Sequence, residues 1–104
     1  MEREKLFTEW LKVWKPKNAN QTYKGGPWKE ETLTLYIKIL KTIVRDLKID
    51  DPSIKQNLFE YKQAGEYLMV YGKIINHPQF KSLQYYPIAQ KSLKRYFEFL
   101  EQLK

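Results

Sequence analysis

Seven large apolar residues, Leu33, Tyr36, Ile37, Leu40, Ile43, Val44 and Leu47, follow one another at steps of three, one, three, three, one and three. Only a helix of 3.6 residues per turn gathers such positions on one side, so the segment must form about four amphipathic turns that bury that side. The spacing recurs in Leu6, Phe7, Trp10, Leu11 and Trp14, predicting a first helix over about residues 3–14 that Pro16 ends. It recurs again in Ala64, Tyr67, Leu68, Tyr71, Ile74 and Ile75, a third helix over 63–75 stopped by Asn76 and Pro78. Ala89, Leu93, Tyr96, Phe97, Leu100 and Leu103 mark a last helix from about Pro87 to the end. The period-2 alternation of a half-buried strand appears nowhere.

The punctuation between these runs fits the same plan. Gly26 suits the N-cap of the second helix and Pro27 its first position, where the missing N–H loses no bond, with Glu30 and Glu31 near the positive end of the helix dipole. Asp50, Asp51 and Pro52 close that helix. Ser53 to Lys62 is a connector in which Leu58, Phe59 and Tyr61 suit either a short helix or an extended stretch, and Gln79 to Leu83 suits a short helical turn. The fold class is therefore all-α, a compact bundle of four to five helices with one long loop, residues 15–27, between the first and second. At 104 residues it is a single domain burying roughly 60–70% of its unfolded surface. With 42% hydrophobic and 15% aromatic residues, rings should dominate the core.

Several function classes lose their signatures. The chain holds no Cys, which removes disulfides, thiolate zinc sites and cysteine nucleophiles and fits a reducing compartment, the cytoplasm. Glu2, Arg3, Glu4 and Lys5 after Met1 are unlike a signal peptide, and no apolar run approaches the roughly 20 residues of a membrane span. The one histidine, His77, stands between Asn76 and Pro78 at a helix end, where capping is the ordinary role, and no set of residues has metal-ligand spacing. Phosphate-cradling glycine motifs and nucleophile elbows are missing, Gly25-Gly26 alone being too little, and the carboxylates occupy polar helix positions. The expectation is a domain without catalysis, cofactor or metal.

Charge points elsewhere. The formal net charge is +7, and the ends carry the excess: six basic against three acidic groups over residues 1–28, five against two over 81–104. Such asymmetry suggests an anionic partner, nucleic acid first. Lys38, Lys41, Arg45 and Lys48, spaced three, four and three apart, share one strip of the second helix beside its apolar face. Like charges at these spacings repel by a few tenths of a kcal/mol per pair, a cost that a phosphate backbone offsets while releasing counterions. Lys91, Lys94 and Arg95 form a second cluster on the last helix, diluted by Glu98 and Glu101. In the long loop, Tyr23, Lys24 and Trp28, with Lys15 and Lys17 upstream, combine cations with rings that can stack on or wedge between bases. Trp28 equally suits a cover over the core where the second helix begins, and the strip equally suits a solvated face.

The segments "FTEWL" (7–11), "ETLTLYIKILKTI" (31–43), "NLFEYKQAGEYLMVYGKII" (57–75), "HPQF" (77–80) and "YYPIAQKSLKRYFEFLE" (85–101), in that order, resemble the small helical domain at the N-terminus of many restriction proteins, McrB-like proteins of modified-cytosine systems among them, where it precedes a GTPase motor or nuclease. The layout is also similar to the SAM-like core-binding domain of tyrosine recombinases, whose helices clamp DNA. The resemblance implies a scaffold of Phe7, Trp10, Leu11, Tyr36, Leu40, Leu93, Tyr96, Phe97 and Leu100, with polar residues of the second and last helices toward DNA. It implies a module that is the N-terminal part of a longer protein or stands alone. The Lys15 to Trp28 loop is longer than the family's usual turn. The resulting expectation is a DNA-binding or target-recognition module of a restriction, that is defence, system. The competing one is an assembly module docking a partner subunit or a downstream motor or nuclease domain, with Tyr85, Tyr86 and Phe99 as an exposed anchor patch.

Overall fold

In the computed structural model, which describes residues 2–14 and 29–103, the expected helices are present: α1 (Glu2–Val13), α2 (Glu30–Asp46), α3 (Ala64–Ile75) and α4 (Tyr86–Gln102), with 3₁₀ turns at Leu58–Glu60 and Phe80–Ser82 and no strand among the described residues. The protein is a small all-α bundle. None of these helices is long and apolar enough to cross a membrane.

α4 is the central element. Trp10 Nε1 donates to Gln102 Oε1 and Trp14 Nε1 to Glu98 Oε2, so α1 and α4 run antiparallel. Ser92 Oγ donates to the Tyr36 carbonyl at 2.9 Å and the Tyr85 hydroxyl to Asp46 Oδ2, setting α2 antiparallel to α4 as well. α3 advances with α4 instead: the Tyr67 hydroxyl donates to the Leu93 carbonyl, and Tyr71 meets Phe97 one turn further along both helices. At the centre, Tyr96 takes Phe7, Phe59 and Tyr67 edge-on with ring centroids 5.4, 5.2 and 5.0 Å away. Edge-to-face packing sets ring-edge hydrogens on the electron-rich faces and adds about 0.5–1.5 kcal/mol per pair beyond burial. The Tyr96 hydroxyl donates to the Tyr61 carbonyl at 2.8 Å, so the one polar atom of this ring is satisfied.

The 53–62 connector belongs to the core. Asp51 accepts from the Ser53 amide and hydroxyl, Asn57 Oδ1 caps the 3₁₀ turn at the Phe59 amide, and Ile54, Leu58, Phe59 and Tyr61 are all buried. Local side-chain bonds of this kind hold a chain that has no helical period of its own.

Three expectations need correction. Lys29 is extended and occupies the N-cap, so α2 begins at Glu30, three residues after the start expected from Pro27; Gly26 and Pro27 themselves lie outside the described residues. α2 ends at Asp46, and its end is a Schellman motif: the Lys48 amide donates to the Arg45 carbonyl and the Ile49 amide to the Val44 carbonyl, with Lys48 left-handed at φ 55°. Third, some residues counted on apolar stripes face water, namely Leu6, Leu68, Ile75 and Leu103, while Val70 and Ile39 are buried in their place.

Candidate nucleic-acid interface

α2 buries Leu33, Tyr36, Ile39, Leu40, Ile43 and Val44. That fixes its rotation, and Thr34, Lys38, Thr42 and Arg45 take the opposite side, with Lys41 on the flank toward α1. The helix thus brings together three of the four cations expected on its strip. Lys48 is the exception: it follows the helix end with a left-handed backbone and leaves the strip.

The three cations are held to different degrees. Lys38 makes no ion pair within the described residues. Lys41 Nζ lies 3.0 Å from Glu4 Oε1 on α1. Arg45 Nε lies 3.5 Å from Asp46 Oδ1, but that carboxylate also accepts the Tyr85 hydroxyl at 2.5 Å, and the Arg45 side chain is 70% exposed. Burial, and then the bond to Asp46, push the Tyr85 phenol well above its ordinary range. Solvent-exposed pairs of this sort contribute about 0–1 kcal/mol, so neither Glu4 nor Asp46 fixes its cation against a competing phosphate.

Beside the strip runs a shallow groove between α1 and α2 that the sequence pattern did not single out. Glu4, Thr8 and Lys12 line it from α1, and Thr34, Ile37, Lys38, Lys41 and Thr42 from α2. The signal was legible in principle, since Glu4, Thr8 and Lys12 recur every four residues along the flank of the apolar stripe of α1. The Thr8 and Thr42 hydroxyls donate to the carbonyls four residues earlier.

Arg95 is withdrawn from this picture. Its guanidinium lies 3.9 Å over the Trp14 ring and pairs with Glu98, which also accepts the Trp14 ring N–H. This closed triad joins the end of α1 to α4 and leaves Arg95 only slightly exposed, so its chemistry is that of a clasp. Lys91 and Lys94 remain exposed on α4 without an ion pair within the described residues. Lys15, Lys17, Tyr23, Lys24 and Trp28 lie outside the described residues.

α1, α2 and α3 each carry equal numbers of acidic and basic residues. Four cations of the net +7, Lys15, Lys17, Lys24 and Lys29, fall with no acid on the segment joining α1 to α2. Among the described residues, the site is thus the cationic face of a helix whose net charge is zero.

No group of three His, Asp or Glu among the described residues is placed to hold a metal ion. His77 Nδ1 accepts the Gln79 amide and serves the turn after α3. Of the anchor patch expected of an assembly module, Phe99 is buried, while Tyr85 and Tyr86 are half-buried, Tyr86 edge-on to Phe80 and Tyr85 donating to Asp46. No protein-family model matches the chain, no curated protein matches it, and no solved structure matches its fold.

Proposed function

We propose that this protein is a non-catalytic DNA-binding module that contacts phosphates through the outer face of α2 and the basic segment before it. The observation that carries the reading is the shared exposure of Lys38, Lys41 and Arg45 on one side of a helix whose other side is locked into the core. Lys91 and Lys94 are also exposed, but on sides of α4 turned away from its Ser92 contact with α2, so the reading does not rest on them. A phosphate neutralised at each cation releases condensed counterions, which makes affinity fall as salt rises. The partner class agrees with the restriction-system role, a cytoplasmic target-recognition domain, that the helical resemblance implies.

The test is anisotropy of a labelled duplex titrated with protein at about 50 mM and about 200 mM salt. Wild type should lose at least about tenfold in affinity between the two, and Lys41→Glu and Arg45→Glu should each weaken all sequences alike and reduce the salt slope by about one. Lys41→Gln separates loss of the cation from repulsion with Glu4. No binding to duplex or single strand at the lower salt removes the proposal.

A further inference from the structure

Of the cations on the outer face of α2, Lys41 alone is paired with an acid of another helix among the described residues. Its Nζ lies 3.0 Å from Glu4 Oε1, across the groove between α1 and α2 that Thr34, Ile37, Lys38 and Thr42 also line. Phe7 and Leu11 are fully buried, which fixes the rotation of α1 and holds Glu4 on the flank toward Lys41. The carboxylate is the better shielded partner, 29% exposed against 44% for the lysine side chain. Asp46 differs: it neighbours Arg45 in sequence, its other oxygen accepts the Tyr85 hydroxyl, and the Arg45 side chain reaches out to water. An ammonium has three N–H donors but one charge. A carboxylate already beside it offsets that charge, so Lys41 draws a phosphate less strongly than Lys38 does.

We infer that Glu4 is an internal competitor of the polyanion, holding Lys41 in the free protein and releasing it when DNA binds. The inference rests on the outer face of α2 being the DNA-contacting surface. Lys38 and Arg45 stand seven residues apart, about 10 Å along the helix, and Lys41 lies between them. A duplex carries one phosphate charge per about 1.7 Å of its axis, so DNA engaged at Lys38 and Arg45 holds further phosphates next to Lys41. Those phosphates, like the carboxylate, then act at the effective concentration of a tethered group, and one anion can replace the other. A free phosphate has no such anchor and meets the tethered carboxylate from dilute solution. Glu4 thereby makes the contact at Lys41 conditional on those at Lys38 and Arg45, and favours an extended polyphosphate over single anions. The cost falls on affinity, because each binding event must part a pair that Lys38 does not have.

Anisotropy of a labelled duplex titrated with the full chain at about 50 mM salt tests it. Glu4→Gln should tighten binding about two- to fivefold, the range an exposed ion pair covers. Glu66→Gln removes the same charge from α3, away from the groove, and should tighten it less. In a Lys41→Gln background the gain from Glu4→Gln should shrink to the level of Glu66→Gln, because the contact it releases is already gone. Side-chain carboxyl carbon signals give a second readout. Adding the duplex should move that of Glu4 and leave that of Glu66, whereas inorganic phosphate at about 1 mM should leave both in place. Duplex binding indifferent to Glu4→Gln, an equal gain in both backgrounds, or a Glu4 signal that the duplex leaves unmoved or that phosphate alone displaces would each overturn this inference while the α2 reading stands. Absence of duplex binding by the unaltered protein removes that reading and this inference with it.

Discussion

Lys48 stands at the C′ position of α2, where a left-handed backbone closes the Schellman motif and where glycine is the usual residue. A lysine there bears the clash between Cβ and its own backbone, about 1–2 kcal/mol. Lys48→Gly should therefore raise stability by about 0.5–1 kcal/mol, read as a higher midpoint in urea with an unchanged slope, after the gain is reduced by the extra freedom of the unfolded glycine. A lowered midpoint would mean that the lysine side chain contributes more than its backbone costs. At the same scale, the Tyr96 hydroxyl is, among the described residues, the hydrogen-bond donor to the Tyr61 carbonyl. Tyr96→Phe should cost about 1–3 kcal/mol by stranding that acceptor in the core, and an unchanged midpoint would contradict the bond.

Among the elements, legibility followed the contrast between faces. α2 alternates charged and apolar sides, so its spacing alone identified both the helix and the side its cations occupy. α3 has two charges in twelve residues and is apolar almost all round, so periodicity located the helix but misjudged its rotation, placing Leu68 and Ile75 inward and passing over Val70. The 53–62 connector was unreadable for a different reason: its order comes from side-chain bonds at Asp51 and Asn57 and from rings on other helices, which no local pattern encodes. Arg95 was misread because its partner Trp14 is 81 residues away in sequence and adjacent only once α1 lies along α4. The open space around Gly72 gives α3 its own prediction. Gly72→Ala should stabilise the monomer by about 0.5–1 kcal/mol through helix propensity, measured by denaturant unfolding at a low protein concentration. Destabilisation would show that the glycine is required within the monomer.

For the whole molecule, five phenols, those of Tyr36, Tyr67, Tyr71, Tyr85 and Tyr96, are held above their ordinary range chiefly by burial. A raised folded pKa means that the folded state keeps its proton longer than the unfolded chain. The associated stability is complete below about pH 10, where free tyrosine titrates, and is lost as pH climbs beyond it toward the folded values. The melting temperature should fall steeply above that point, with the tyrosinate absorbance of these five appearing together with unfolding; ionisation of all five while the fold persists would contradict the aromatic core described here.

The outer face of α2 is the surface proposed to meet a polyanion. Amide shifts of the labelled protein on adding a short DNA duplex test it most directly, because one spectrum series reports both binding and place. Shifts should grow along Thr34, Lys38, Lys41, Thr42 and Arg45 and leave α3 unmoved. A spectrum unchanged by DNA, or one whose shifts avoid α2, would contradict it.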